Sequence, residues 1–404
     1  MSERRQALAP ETVADELVNA AYAYLGGDRE AYEARAGWVV DGPFTPPARV
    51  IATGAAIAVE TMLPRAWRVG WLPVDVWEHV RRTADEGAVA LVVDAIAADT
   101  AKHPAATIDE RWTAQVRALG AEVWWDRDRP RLLQRPGLAL REAVHTTILL
   151  VAALMQLPPL ACILPLPGTA TAGAGASSGV DQKVLGRVRA LLAKAESTQF
   201  PEEAEALSAK AQELMNRYAF ERAALDADEH REQRATSIRV WLESPYLEAK
   251  SQLVTAIGEA NRCRSVFYSR LGFVALVGEE TDLRITELLA TSLLVQATRA
   301  MVAEGQRAGS SRSKSFRHAF LIAYAIRVGE RLAEASARAL DPVSDARLLP
   351  VLADRSEAVE RTFDEMFGQT IKKRISVSNG AGIVAGRAAA ERADLTLERR
   401  AVNT

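Results

Sequence analysis

Apolar residues recur at helical spacing through most of this chain. Val13, Leu17, Ala20, Ala21 and Tyr24 fall on one face of a helix. Residues 50–62 and 89–96 are Ala/Val-rich runs of helical length. Residues 138–155 read as a buried helix followed by an extended, Pro-rich exit. After a break the spacing resumes. Val184, Val188, Leu191, Leu192 and Ala195 make one stripe, and Ala204, Leu207, Ala211, Leu214, Met215 and Tyr218 make a second. Only residues 197–200 lie between them, with Pro201 suited to a first helical turn and Glu202, Glu203 and Glu205 at its positive end. So short a loop forces the two helices antiparallel, with their apolar stripes facing.

Beyond this hairpin the pattern changes. Residues 247–261 are helical in period, while 265–268 and 273–277 are β-rich around a turn ending in Gly272. Gly278 ends the second strand, Thr281 is placed to cap, and 282–303 reads as a long helix. Ser315 is placed to cap a helix over 316–340 that is apolar nearly all round its first half (Phe320, Leu321, Ile322, Ala323, Tyr324, Ala325, Ile326). Such a helix is the buried centre of its domain. Residues 356–367 predict a helix, 375–378 a third strand and 384–393 a last helix. The fold class is α+β and predominantly α-helical: a helical N-terminal domain, a helical hairpin, and C-terminal helices on a small antiparallel sheet. The expected divisions are a helical domain over 1–165, a flexible Pro/Gly/Ala/Ser linker over 166–180, the hairpin over 181–227, and an α-β-β-α domain with an extension over 236–404.

Composition narrows this. The 404 residues are 49% apolar and 25% charged, so the chain is globular and long enough for two or three domains. Net charge is −2, so any nucleic-acid binding must use a local patch. Cys162 and Cys263 are the only cysteines and form no CxxC pair, which fits a reducing, cytoplasmic setting. Residues 1–12 lack the apolar core of a secretory leader. Residues 146–166 approach membrane-spanning length, but Gln156 and the Pro158-Pro159 pair interrupt them and no Lys/Arg cluster flanks them, so no membrane span is expected. Seven of the eight tryptophans lie in the first domain, either as an aromatic ligand pocket or, in a core otherwise built of Ala and Val, as filling.

The run Val184-Leu185-Gly186-Arg187-Val188-Arg189-Ala190-Leu191-Leu192-Ala193-Lys194-Ala195-Glu196-Ser197-Thr198 resembles the first helix of the family catalogued as domain of unknown function 2786. The run Glu202-Glu203-Ala204-Glu205-Ala206-Leu207-Ser208-Ala209-Lys210-Ala211-Gln212-Glu213-Leu214-Met215 resembles its second. The likeness covers about a tenth of the chain. It implies an uncharacterised protein of actinobacterial or phage type, in a setting associated with DNA, and carries no established activity. The α-β-β-α order that follows is similar to the family's usual C-terminal companion, domain of unknown function 7168.

Catalytic signatures are missing from the sequence. None of His79, His103, His145, His230 and His318 belongs to HExxH or has a partner at metal-ligand spacing. The acidic group Asp226, Asp228, Glu229, His230 and Glu232 lacks the order of a calcium loop and reads as a solvated helix end. There is no GxSxG elbow and no Walker loop. Gly380-Ala381-Gly382-Ile383-Val384-Ala385-Gly386 either cradles a phosphate or lets two helices pack closely, and the second fits a Gly motif without its βαβ context. No cofactor and no metal is expected.

The sharper signal is basic. Arg307, Arg312, Lys314 and Arg317, with His318, occupy a Ser/Gly-rich stretch at 305–318, and Lys372, Lys373 and Arg374 precede the expected third strand. If the two segments are neighbours, seven cations share a face able to hold a phosphate backbone. Otherwise they are a solvated loop and a charged strand edge. Three functions follow. The first is a non-enzymatic binding or scaffold protein, with nucleic acid or proteins as partners. The second is an enzyme with a site between the sheet and helix 316–340, built from Glu279, Glu280, Asp282 and His318. The third is a protein–protein module docking through the hairpin. The absence of catalytic motifs leans away from an enzyme.

Overall fold

A computed structural model describes residues 9–41, 45–170, 235–307, 313–340, 348–368, 370 and 379–392, with 186–188, 190, 191, 194 and 214 of the hairpin. The chain divides into two units, Met1–Ala176 and Ser177–Thr404.

The described part of the first unit is helical: α1 Pro10–Gly26, α2 Arg29–Asp41, α3 Ala48–Arg68, α4 Pro73–Thr83, α5 Glu86–Thr100, α6 Glu110–Ala118 and α7 Leu140–Met155. Helix α7 is the hub, touching α1 to α5. Its last charged residue is Glu142, and Val144, Ile148, Leu150, Val151 and Leu154 are buried. The chain leaves it extended, as the prolines require. Leu160 N donates to Val69 O at 2.8 Å, and Trp71 Nε1 donates to Pro158 O at 2.8 Å. Among the described residues no helix is long and apolar enough to cross a membrane. Aspartates cap three of these helices: Asp28 accepts from Ala31 N at 3.0 Å, Asp85 from Ala88 N at 2.7 Å and Asp109 from Arg111 N at 2.8 Å.

The tryptophans divide. Trp67, Trp71 and Trp112 are core, and Trp67 Nε1 donates to the buried Asp99 at 2.8 Å. Trp38, Trp77 and Trp125 are half-buried, and Trp124 is 48% exposed with its indole N–H on Asp94. The compositional linker begins inside this unit, where Gly168 N and Ala170 N both donate to Thr107 O.

The second unit contains β1 Thr236–Trp241, α8 Leu247–Ala260, β2 Arg264–Tyr268, β3 Phe273–Gly278, α9 Glu280–Arg307, α10 Lys314–Leu340, α11 Leu348–Phe367 and α12 Gly380–Arg392. Its antiparallel sheet has the order β1-β3-β2. The expected hairpin of β2 and β3 is present. The third strand, however, is β1, ahead of the first helix, and the segment 375–378 lies outside the described residues. Side chains alternate across the sheet. Ile238, Val240, Phe267, Val274 and Leu276 face the helical core, whereas Val266 and Val277 meet Val359, Phe363 and Phe367 of α11.

Helix α10 is the buried centre its apolar run predicts, with Phe320, Tyr324, Val328 and Leu332 inaccessible, although Ile326 is 51% exposed. Small residues let its neighbours approach. A Cβ on Gly329 would stand 3.0 Å from Ala256 Cβ of α8. On α12, a Cβ on Gly382 would stand 2.6 Å from Phe316 O, and one on Gly386 would stand 2.3 Å from Phe320 O. The Gly motif therefore serves close packing of α12, parallel to α10.

Two helix starts differ from the sequence expectation. Glu279, not Thr281, caps α9, its carboxylate accepting from Thr281 N at 2.8 Å. Ser313, not Ser315, caps α10, accepting from Phe316 N at 3.2 Å. In each case a residue two positions earlier reaches the free amides of the first turn. Helix α11 also begins a full two turns before the predicted 356. Of the hairpin, Val188 is wholly buried in the core of this unit, with Leu191 and Leu214 packed against it. Val184 and Leu207 lie outside the described residues.

Candidate nucleic-acid interface

Helices α10 and α12 start side by side. Asn379 fixes the pair: its Oδ1 accepts from Gly382 N at 2.9 Å, capping α12, while its Nδ2 donates to Ser315 Oγ at 3.4 Å. Ser315 Oγ lies 3.2 Å from Ser313 Oγ, the cap of α10. The far end is pinned by Arg331, whose Nη1 reaches Ala390 O and, at 3.0 Å, Glu391 O, and by Arg327, which pairs with Glu391. Arginine is suited to the last carbonyls of a helix.

This shared start carries part of the basic set. Lys314 opens α10 and is exposed, and Arg317 and His318 follow on its first turns, half-buried. None of the three makes an ion pair with a described residue. Arg307 is the last residue of α9, which leads into α10. Arg312, Lys372, Lys373 and Arg374 lie outside the described residues.

The polar groups of the enzymatic reading separate in part: Glu279 and Asp282 stay neighbours, and Glu280 leaves them. Glu280 pairs with Arg284 at the surface. Asp282 is 2% exposed and takes a two-pronged contact from Arg262, Nε to Oδ2 at 3.0 Å and Nη2 to Oδ1 at 2.5 Å. Arg262 holds a left-handed backbone, φ 61°, rare for a residue with a side chain. Burial, with the neighbouring Asp282, raises the Glu279 carboxyl above its usual range against the pull of Arg355. Cys263 sits in the same cluster, its thiol pushed up to about 12 by burial and by Asp282. His318 is far along the chain, beyond α9, and among the described residues no hydrogen bond or ion pair joins it to the three acids. The Arg262–Asp282 pair ties the residues before β2 to the start of α9.

The histidines are diverse. Tyr32 Oη bonds His145 Nδ1 near the surface. His79 is buried edge-on to Trp71, with ring centroids 5.5 Å apart, and its Nε2 has no hydrogen-bond partner among the described residues. Among the described residues no group of three or more metal-ligating side chains occurs. The acidic group at 226–232 lies outside them.

Sequence reasoning missed Asn379 and the Arg262–Asp282 pair. Asn379 stands just before a Gly-rich helix start, which is a capping signal. Its second contact, to another helix, leaves no local trace.

A family model described as "Protein of unknown function (DUF2786)" matches residues 183–222, a tenth of the chain, in agreement with the hairpin resemblance. No curated protein and no solved structure matches.

Proposed function

We propose that this chain is a non-enzymatic binding protein whose C-terminal unit holds the phosphate backbone of nucleic acid at the paired starts of α10 and α12. The observation that supports this most is the Asn379–Ser315 hydrogen bond. It joins the starts of the two helices that the basic segments adjoin in sequence. Arg312 is two residues from Lys314, and Arg374 is five residues from Asn379. Lys372 lies seven residues from Asn379, and seven extended residues reach at most about 25 Å, so chain length allows all three cations near the end that carries Lys314 and Arg317. The seryl hydroxyls there add donors for phosphate oxygens. The free thiols of Cys162 and Cys263 favour a cytoplasmic setting.

The test is fluorescence anisotropy of labelled, mixed-sequence duplex DNA against the full chain across a salt series. Binding that weakens with salt is expected. Each phosphate that a cation neutralises adds ~0.9 to the slope of log affinity against log salt. Replacing Arg312, Lys314 and Arg317 together by Ala should therefore flatten that slope by about 2 to 3. No binding by micromolar protein at about 50 mM salt would overturn the proposal.

A further inference from the structure

On the outer face of the sheet α11 covers Val266 and Val277 and reaches Tyr268 with Phe367, ring centroids 6.4 Å apart, and leaves an aromatic row part-exposed. The register places Trp241 of β1, Phe273 of β3 and Tyr268 of β2 opposite one another in a single row. Phe273 is fully buried beneath the other two, its ring 4.9 Å from Trp241 and 4.6 Å from Tyr268. Trp241 and Tyr268 are only half-buried. Strand spacing sets them roughly 10 Å apart, on either side of Phe273.

Cations border this row. Arg239, the next outward-facing residue of β1, holds its guanidinium 5.7 Å from the Phe273 ring. Arg270, in the turn between Tyr268 and Phe273, is exposed and makes no ion pair with a described residue. The acid nearest in sequence, Glu243, has Lys250 beside it.

We infer that this aromatic row is a stacking platform for unpaired bases, which adds single-strand binding to the backbone contacts proposed for the basic end. The inference rests on the nucleic-acid reading above but uses different residues. Bases inside a duplex are already stacked and paired, whereas rings displayed on a sheet take up splayed bases with little sequence preference. Trp241 and Tyr268 receive one base each, and Arg239 and Arg270 lie where the connecting phosphates pass.

Trp241 gives the experiment its probe, since the other seven tryptophans belong to the first unit. The full chain is titrated with oligo-dT of about twelve nucleotides and with a duplex of equal length, reading intrinsic fluorescence and anisotropy. Stacking should quench Trp241. Trp241→Phe should abolish that quench yet still bind, and Trp241→Ala or Tyr268→Ala should weaken single-strand binding about 5- to 150-fold for each stack removed, leaving duplex binding unchanged. Because Ala at either position uncovers Phe273, Arg270→Glu, an exposed change that leaves the row intact, should weaken single-strand binding in a fold that circular dichroism shows to be unaltered. Single-strand affinity that is unchanged in Arg270→Glu, or a quench that survives in Trp241→Phe, overturns the inference. If Trp241→Ala, Tyr268→Ala and Arg270→Glu bind normally while the Arg312, Lys314 and Arg317 substitutions abolish binding, the platform fails and the basic end stands. The reverse pattern removes the basic end alone.

Discussion

Gly386 is the position where a single added carbon has the clearest consequence. In Gly386→Ala the new Cβ would lie 2.3 Å from Phe320 O and 3.0 Å from Ala323 Cβ. An ordinary carbon–oxygen contact is about an ångström longer, and the obstacle is backbone in the middle of α10, which cannot rotate away. Helix α12 must move instead. Overpacking of this kind costs about 1–3 kcal/mol. Displacing α12 also loosens the Asn379–Ser315 and Arg331–Ala390 hydrogen bonds, each worth about 0.5–1.5 kcal/mol. Against this, Ala is better than Gly in a helix by about 1 kcal/mol. The net expectation is a loss of about 1–3 kcal/mol, concentrated in α12. Gly380→Ala is the internal control: nothing lies within 4 Å of its added Cβ, so it should be neutral or stabilising by up to about 1 kcal/mol. Two units need not unfold together, so the measurement is hydrogen exchange of α12 amides by mass spectrometry, with urea unfolding alongside. Equal or greater protection of α12 in Gly386→Ala, or an equal loss in both variants, would refute the close-packing argument.

Acid should weaken the first unit through His79. Burial lowers its pKa below 6.5, with Arg82 adding repulsion against a hydrogen bond to the Ala153 backbone. The neutral ring's contribution to stability is therefore complete above about pH 6.5 and is lost as pH falls through the lowered value. Urea unfolding followed by tryptophan fluorescence should show this decline below pH 6.5, and a profile unchanged in His79→Gln would sink the assignment. The cysteines should separate under iodoacetamide at pH 8. Exposed Cys162 should react, whereas Cys263, buried with its thiol raised to about 12, should not until denaturant is added. Two alkyl groups per native chain, by intact mass, would contradict the burial of Cys263.

Much of the helical architecture is legible in local spacing. The apolar run in α10 announces a central helix because nothing polar interrupts it, and the charge-free stretch of α7 does the same for the first unit. Strand β1 is harder. Ser237 and Arg239 stand among its residues and resemble a loop, and its partner β3 lies beyond an intervening helix, so its pairing leaves no local signal. Ser237 nonetheless is 3% exposed, a burial that only the assembled sheet produces. Helix caps are misplaced by two residues because several polar side chains at each start satisfy the same motif. The candidate site is legible as composition, in its Lys and Arg, and illegible as geometry. Asn379 and Ser315 are far apart in the chain, and only packing brings them together. The aromatic row is likewise invisible until register is known, since Trp241 and Tyr268 belong to strands that never touch each other.

The burial of β3 on both faces and along both edges bears on how this protein can be cut. A fragment begun at Leu247, where the helical pattern of this region starts, would retain β2 and β3 but lose β1. The whole β1-facing edge of β3, Phe273 to Gly278, would then present unsatisfied amides and carbonyls along an almost wholly apolar strand. Such an edge recruits strands from other molecules. Fragments intended for crystallisation or binding work should therefore start before Thr236, and precipitation of the shorter piece would report a missing strand, with no bearing on the soundness of the remaining fold.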